Sequence, residues 1–127
     1  MIARVALLAV AAAATLWLAG GLRDAQRLDE ATALLAGRTD AAPAVAARVE
    51  RLLGGRDDGR ALVLRARAAA LAGEPDRAVA LAQRAVLDSP DDVQPWLALA
   101  LLTPAEEPLG RLARDEARRL APPVPAP

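Results

Sequence analysis

The tetrad Gly73-Glu74-Pro75-Asp76 constrains this chain more than any other stretch. Alanine-rich runs with helical spacing lie on both sides of it, and four residues are too few to let them part. Gly suits the left-handed position after a helix and Pro suits the first helical residue, so one helix stops here and another starts. Helices joined by so short a turn lie antiparallel and touch. Ala66 on the first helix and Ala78, Ala82 and Ala85 on the second let the backbones approach to the short end of the ~8–10 Å interaxial range. Leu62, Val79, Leu81, Val86 and Leu87 are expected to fill the remaining space. Ser89-Pro90-Asp91-Asp92 makes a second turn, and Trp96, Leu99 and Ala100 sit on a third helix.

Over residues 59–102 this pattern resembles a tetratricopeptide repeat. Ala66, Ala78, Ala82, Ala85 and Pro90 fall at the spacing of that family's small-residue and proline positions. Trp96, Leu99 and Ala100 fall where the next repeat restarts. The usual bulky aromatic of the family's second helix is here Ala82, and the first copy has Leu62 where the second has Trp96. The resemblance implies stacked helical hairpins, an all-α solenoid fragment, and a protein-binding scaffold. It also implies where a partner lies, along the concave side formed by the first helix of each pair. The matching positions are Arg60, Val63, Arg67 and Ala70 in the first copy and Gln94, Leu97 and Leu101 in the second. Arg60 and Arg67 are two turns apart on one face, so both can reach an extended peptide or a carboxylate. They also read as ordinary solvated surface arginines.

The residue inventory bears on chemistry. His and Cys are absent, which excludes the common zinc sites, haem ligation by His and a thiol nucleophile. There is no lysine, hence no Schiff base and no P-loop lysine. Ser89 is the only serine, and no His can activate it. Asp57-Asp58, Asp91-Asp92 and Glu106-Glu107 sit where helices should begin, where carboxylates cap free N–H groups and complement the helix dipole. The reading is of a protein that is not an enzyme and has no cofactor or metal. Net charge is zero, so no bulk attraction to nucleic acid is expected. Hydrophobic residues make up 54% of the chain but aromatics only 2%, so the core must be aliphatic and shallow. The Ala, Arg, Leu, Pro and Gly bias points to a GC-rich bacterial genome.

Val5 to Leu22 is an uncharged run that as a helix spans about 27 Å, close to the ~30 Å hydrocarbon core of a bilayer. Trp17 lies near its C-terminal end, where an interfacial indole would sit. The expectation is a single membrane-spanning anchor in the bacterial inner membrane. A cleaved signal peptide is the second reading, because Ala19-Gly20-Gly21 offers small residues to a peptidase, and a buried helix is the third. The arginine count would keep the C-terminal body in the cytoplasm, whereas a short head before an apolar run resembles a signal-anchor. The extracytoplasmic side is favoured.

Beyond Arg23 the helix is expected to continue to Ala36, with Leu28, Ala31, Leu34 and Leu35 as an apolar stripe. Gly37 should end it and Thr39-Asp40 should cap the next helix, whose inward face is Val45, Val49, Leu52 and Leu53. This pair reads as a degenerate leading repeat on helical spacing alone. Asp92 should cap the helix of Trp96. Thr103-Pro104-Ala105-Glu106 has capping-box spacing, although Pro108 lets the last helix restart there. Leu109, Leu112, Ala113, Ala117 and Leu120 form its stripe, and a proline-rich tail follows.

The chain therefore reads as all-α. It divides into an anchor and juxtamembrane helix (1–37), a repeat-like helical domain (38–120) and the tail (121–127). The function that follows is a membrane-anchored, non-catalytic interaction module with a protein or peptide partner, assisting assembly of an envelope complex. The alternatives are a structural subunit packed into a larger membrane complex and a secreted repeat protein. Two hairpins make a shallow groove, so the leading pair, the membrane or a second copy of the chain would supply further cover.

Overall fold

The computed structural model describes the backbone of residues 2–36 and 42–121, and the side chains of residues 17–36 and 43–121. Its elements are α1 (Ile2–Ala36), α2 (Ala42–Leu53), α3 (Gly59–Leu71), α4 (Pro75–Asp88), α5 (Val93–Leu102) and α6 (Pro108–Leu120). Consecutive helices pack against each other, and α3 also touches α1 and α5. The result is two layers. α1, α3 and α5 lie side by side in one, and α2, α4 and α6 cover them in the other.

The turn at Gly73 is built as its composition requires. Gly73 takes φ +76°, and its N–H reaches Ala70 O while Glu74 N–H reaches Ala69 O. These two bonds satisfy carbonyls that the end of α3 leaves open. Pro75 then opens α4. Across the hairpin, Ala66, Ala78, Ala82 and Ala85 are all at 0% exposure. Leu62, Leu81 and Val86 are buried with them and Val79 is half-buried. Leu87, expected to join them, is 81% exposed. It follows Val86 by one position, and the 100° step between helical neighbours carries it past the edge of the buried stripe.

α3 is the spine. Leu62, Val63, Ala66 and Ala69 face α4 and α5, whereas Ala61, Leu64 and Ala68 face α1 and α2. A helix clad on both sides must be apolar nearly all round, which accounts for the run Ala61 to Leu64. Leu28 and Ala31 of α1 pack with Ala46, Val49 and Leu53 of α2 on the second of those faces.

Helix starts divide between carboxylate caps and prolines. Asp58 accepts from Ala61 N–H at 3.1 Å and Asp92 from Gln94 N–H at 2.9 Å. The N-terminus of α3 has a further acceptor, Asp88 at the end of α4, which takes Gly59 N–H at 2.6 Å. Trp96 is half-buried and donates its indole N–H to Pro90 O at 2.8 Å, fixing the turn before α5. The capping box at Thr103 does not form. Thr103 is buried at the end of α5 and donates back to Leu99 O, and α6 starts later, at Pro108. There the clamp is Arg114, whose guanidinium donates to Ala100 O, Thr103 O and Gly110 O. A cation over two carbonyls at the C-terminus of α5, those of Ala100 and Thr103, also complements the dipole of that helix. Gly110 allows the close approach: a Cβ there would collide with the Pro104 carbonyl.

Among the described residues, no helix is long and apolar enough to cross a membrane. This corrects the expectation of a membrane span from Val5 to Leu22. α1 runs on past Leu22 as one helix to Ala36, the continuation that its apolar stripe predicts. Beyond Leu22 it carries Arg23, Asp24, Arg27, Asp29 and Glu30, and Leu28 and Ala31 between them are buried in the second aliphatic cluster. The single-pass inner-membrane placement, the extracytoplasmic orientation, the bilayer as partner and the envelope role rested on that span and are withdrawn with it. The caps expected at Gly37 and Thr39-Asp40 and the tail beyond Ala121 lie outside the described residues.

Candidate functional site

On its open side the first layer forms a groove. Leu35 comes from α1, Arg67, Ala70 and Leu71 from α3, and Ala98, Leu101 and Leu102 from α5. It encloses about 330 Å³, at the low end of ligand-sized clefts. The helical register explains the lining. Ala66 and Ala69 of α3 turn to the core, whereas Arg67, Ala70 and Leu71, at spacings of three and four, share the adjoining, open face. Ala70 keeps the floor low, so the leucines around it form a trough.

Leu101 is 81% exposed on the rim of this trough. One exposed leucine on a protein surface is ordinary. Here it stands beside Leu35, Leu71 and Leu102, all half-buried, so the exposed apolar surface is continuous across three helices. Among the described residues Arg67 is the one charged residue of the lining.

The positions read from the sequence separate into four groups. Arg67, Ala70 and Leu101 come together in the groove. Arg60 is exposed two turns away on α3, where it meets Asp29 of α1 at 3.5 Å, and Gln94 is exposed at the start of α5. Leu97, 42% exposed, borders a different hollow with Ala100, Arg114, Ala117 and Arg118. Val63 is only 8% exposed and faces the core, so it offers little to a partner. The groove residues that sequence reasoning missed are Leu35, Leu71, Ala98 and Leu102. Leu35 was legible as part of an apolar stripe but was assigned wholly to packing. Treating α1 and α2 as a full leading pair would have put Leu35 in the same layer as Arg67 and Leu101.

A second candidate, the hollow between α2 and the α3–α4 turn, is lined by Pro43, Ala46, Ala47, Glu50, Ala72, Glu74 and Arg77 among others. Its charged groups are already matched: Arg77 bridges Glu50 at 3.1 Å and Glu74 at 2.9 Å. Among the described residues no group of three or more His, Cys, Asp or Glu side chains could hold a metal ion.

The family model of the tetratricopeptide repeat matches residues 59–102, which run from the start of α3 to the end of α5. No curated protein and no solved structure matches the chain. The repeat is a scaffold fold, and the chain lacks the His, Cys and Lys side chains on which most protein catalysis depends. The described residues form an all-helical, tetratricopeptide-like scaffold module.

Proposed function

We propose that this module binds a segment of another protein in the groove across α1, α3 and α5. The observation that carries the reading is Leu101. It stands 81% exposed on a rigid helix, in line with the half-buried Leu35, Leu71 and Leu102. An apolar trough built on helices, not on loops, is preorganised, so little ordering entropy is lost when a partner docks. Helix α1 completes its wall, which makes the leading pair part of the binding surface as well as of the core.

Leu87 supplies an internal control, because it is equally exposed, at 81%, on α4 outside the groove. A photo-crosslinking side chain placed at Leu101 in the full chain in cells is expected to give discrete protein adducts. The same probe at Leu87 is expected to give few. Equal labelling from both positions, or none from Leu101, would overturn the groove reading.

A further inference from the structure

The second layer carries a cleft that the groove reading does not use. α4 and α6 each pack on α5 but not closely on each other, and the gap between them encloses about 470 Å³. Val79, Leu102 and Leu109, all half-buried, line it with the edges that the core leaves uncovered. Its charged lining residues are Asp76, in the first turn of α4, and Glu107, just before α6. Both are exposed. The arginines nearest to them in sequence are engaged elsewhere: Arg77 reaches back to Glu74 and Glu50, and Arg111 donates to Glu106 O. Other hollows that carry a carboxylate hold its cation as well, Arg77 for Glu50 and Glu74, or Arg56 for Asp24. A single unpaired charge would carry little. Here two carboxylates, no cation and an aliphatic floor share one lining. Donors are scarce too, since Pro75 and Pro104 have no N–H and the Thr103 hydroxyl is spent on Leu99 O.

We infer that this cleft is a second docking site and that its occupant is an arginine side chain presented by another protein. The aliphatic stem of that arginine lies over Val79, Leu102 and Leu109, and its guanidinium donates to the carboxylates of Asp76 and Glu107. Charge complementarity selects the occupant. At helix starts the two carboxylates also complement the dipoles of α4 and α6, which accounts for each of them singly. A purely aliphatic side chain in the cleft would strip water from both without supplying a counter-charge. An acidic one would be repelled and would find few donors. Arginine answers both parts of the lining, because its methylene stem covers apolar surface while its weakly hydrated planar fork matches a carboxylate. The cleft opens in the layer of α4 and α6, whereas the groove opens on that of α1, α3 and α5. Leu87 lies about 16 Å farther along α4 than Asp76 and does not line the cleft, so it stays outside both sites.

The test adds two end-capped hexapeptides, Gly-Ser-Leu-Arg-Ser-Gly and the same sequence with Gln in place of Arg, to the nitrogen-15-labelled full chain. Each is titrated to millimolar concentration at low salt, and amide signals are followed by NMR. The Arg peptide is expected to shift the signals of Val79 and Leu109 and to bind about tenfold more tightly than the Gln peptide, as charge-assisted bonds replace neutral ones. Asp76→Asn combined with Glu107→Gln should abolish that preference. Glu106→Gln, which removes a neighbouring carboxylate outside the lining, should preserve it. Thermal melts of these variants check that the fold is intact. Equal affinity for the two peptides, or no shift at Val79 and Leu109, overturns the inference. Shifts at Arg67 and Ala70 in their place would seat the peptide in the groove, which overturns the cleft and leaves the groove reading standing. Leu102 lines both cavities and is left out of that comparison. Equal shifts from spermidine alone would make the occupant a free polycation and overturn the protein assignment.

Discussion

The α3–α4 hairpin and the seam that joins α1 and α2 to it are held by different physics. In the hairpin, four alanines at 0% exposure set the distance between backbones, and aliphatic side chains fill the flanks. At the seam a smaller aliphatic cluster is surrounded by arginine–carboxylate pairs. Arg77, Glu50, Arg65, Asp57 and Arg84 form a chain of alternating charge, with contacts of 3.1, 3.3, 3.4 and 3.0 Å. It passes from α4 to α2, to α3, to the preceding loop, and back to α4. Arg56 adds a link from that loop to Asp24 of α1 at 3.3 Å. Close packing is specific in shape and indifferent to salt. Ion pairs at this level of exposure are weaker and screened. The two halves of the groove wall therefore rest on supports of different kinds, and the seam is the one that solution conditions can loosen.

The largest effect should come from overfilling the hairpin. Ala85→Leu adds three carbons at a position with no free surface, forcing the backbones of α3 and α4 apart. Overpacking of this kind costs about 1–3 kcal/mol. The melting temperature of the full chain should fall by several degrees, equally in low and high salt. An unchanged melt would mean that the small-residue contact does not determine the packing.

This contrast also explains what was legible in the sequence. The hairpin was readable because its device is periodic: Ala66, Ala78, Ala82 and Ala85 keep a fixed register about the Gly73–Pro75 turn, and the family match stops at residues 59–102 for the same reason. The seam leaves no such pattern. Glu50, Arg65 and Arg77 are far apart in sequence, and nothing local says that they meet. Arg114 was hidden in the same way, since a guanidinium that clamps carbonyls of the preceding helix looks like any surface arginine. The membrane reading failed for a related reason. It read the helix beyond Arg23 as a juxtamembrane extension of a Val5–Leu22 span, whereas that half of α1 docks through Leu28 and Ala31 into the helical domain. Of the groove, Arg67, Ala70 and Leu101 were reachable by register. Leu35 was reachable only by extending that register to the leading pair, for which helical spacing is the sole signal.

Next in size is the centre of the ionic chain. Glu50→Gln keeps the shape but removes the charge shared by Arg65 and Arg77. Arg65 is only 13% exposed, so its loss of a counter-charge is felt more than at an open surface. A cost of about 1 kcal/mol is expected in low salt, between the surface and buried limits. It should shrink in 1 M NaCl, where the screening length falls to about 3 Å. Native-state hydrogen exchange should quicken in α2 and leave α4 unchanged, because the seam opens before the hairpin. Faster exchange in both would show a single cooperative unit and remove the distinction. Arg84→Leu cuts the outermost link, between side chains more than half exposed, and should cost less than about 0.5 kcal/mol.

The smallest effect belongs to Asp58, which caps α3 at the edge of the seam. Burial alone would raise its carboxyl pKa. The hydrogen bond from Ala61 N–H, the hydrogen bond from Arg56 and the Arg56 charge together outweigh it and hold the pKa below the ordinary 3.8. The sign follows. The unfolded chain takes up this proton first as pH falls, so protonation favours unfolding. Asp58 therefore contributes its full stabilisation above the ordinary value and loses it as pH drops from 3.8 through the lower folded value. The carboxylate is 45% exposed, so solvent screens it and the contribution is small. Asn caps helices about as well as Asp but carries no titrating charge. Asp58→Asn should leave the melt near neutral pH almost unchanged and flatten the decline in stability below pH 3.8. A decline as steep as in the parent chain would mean that other carboxylates of the seam carry the acid sensitivity.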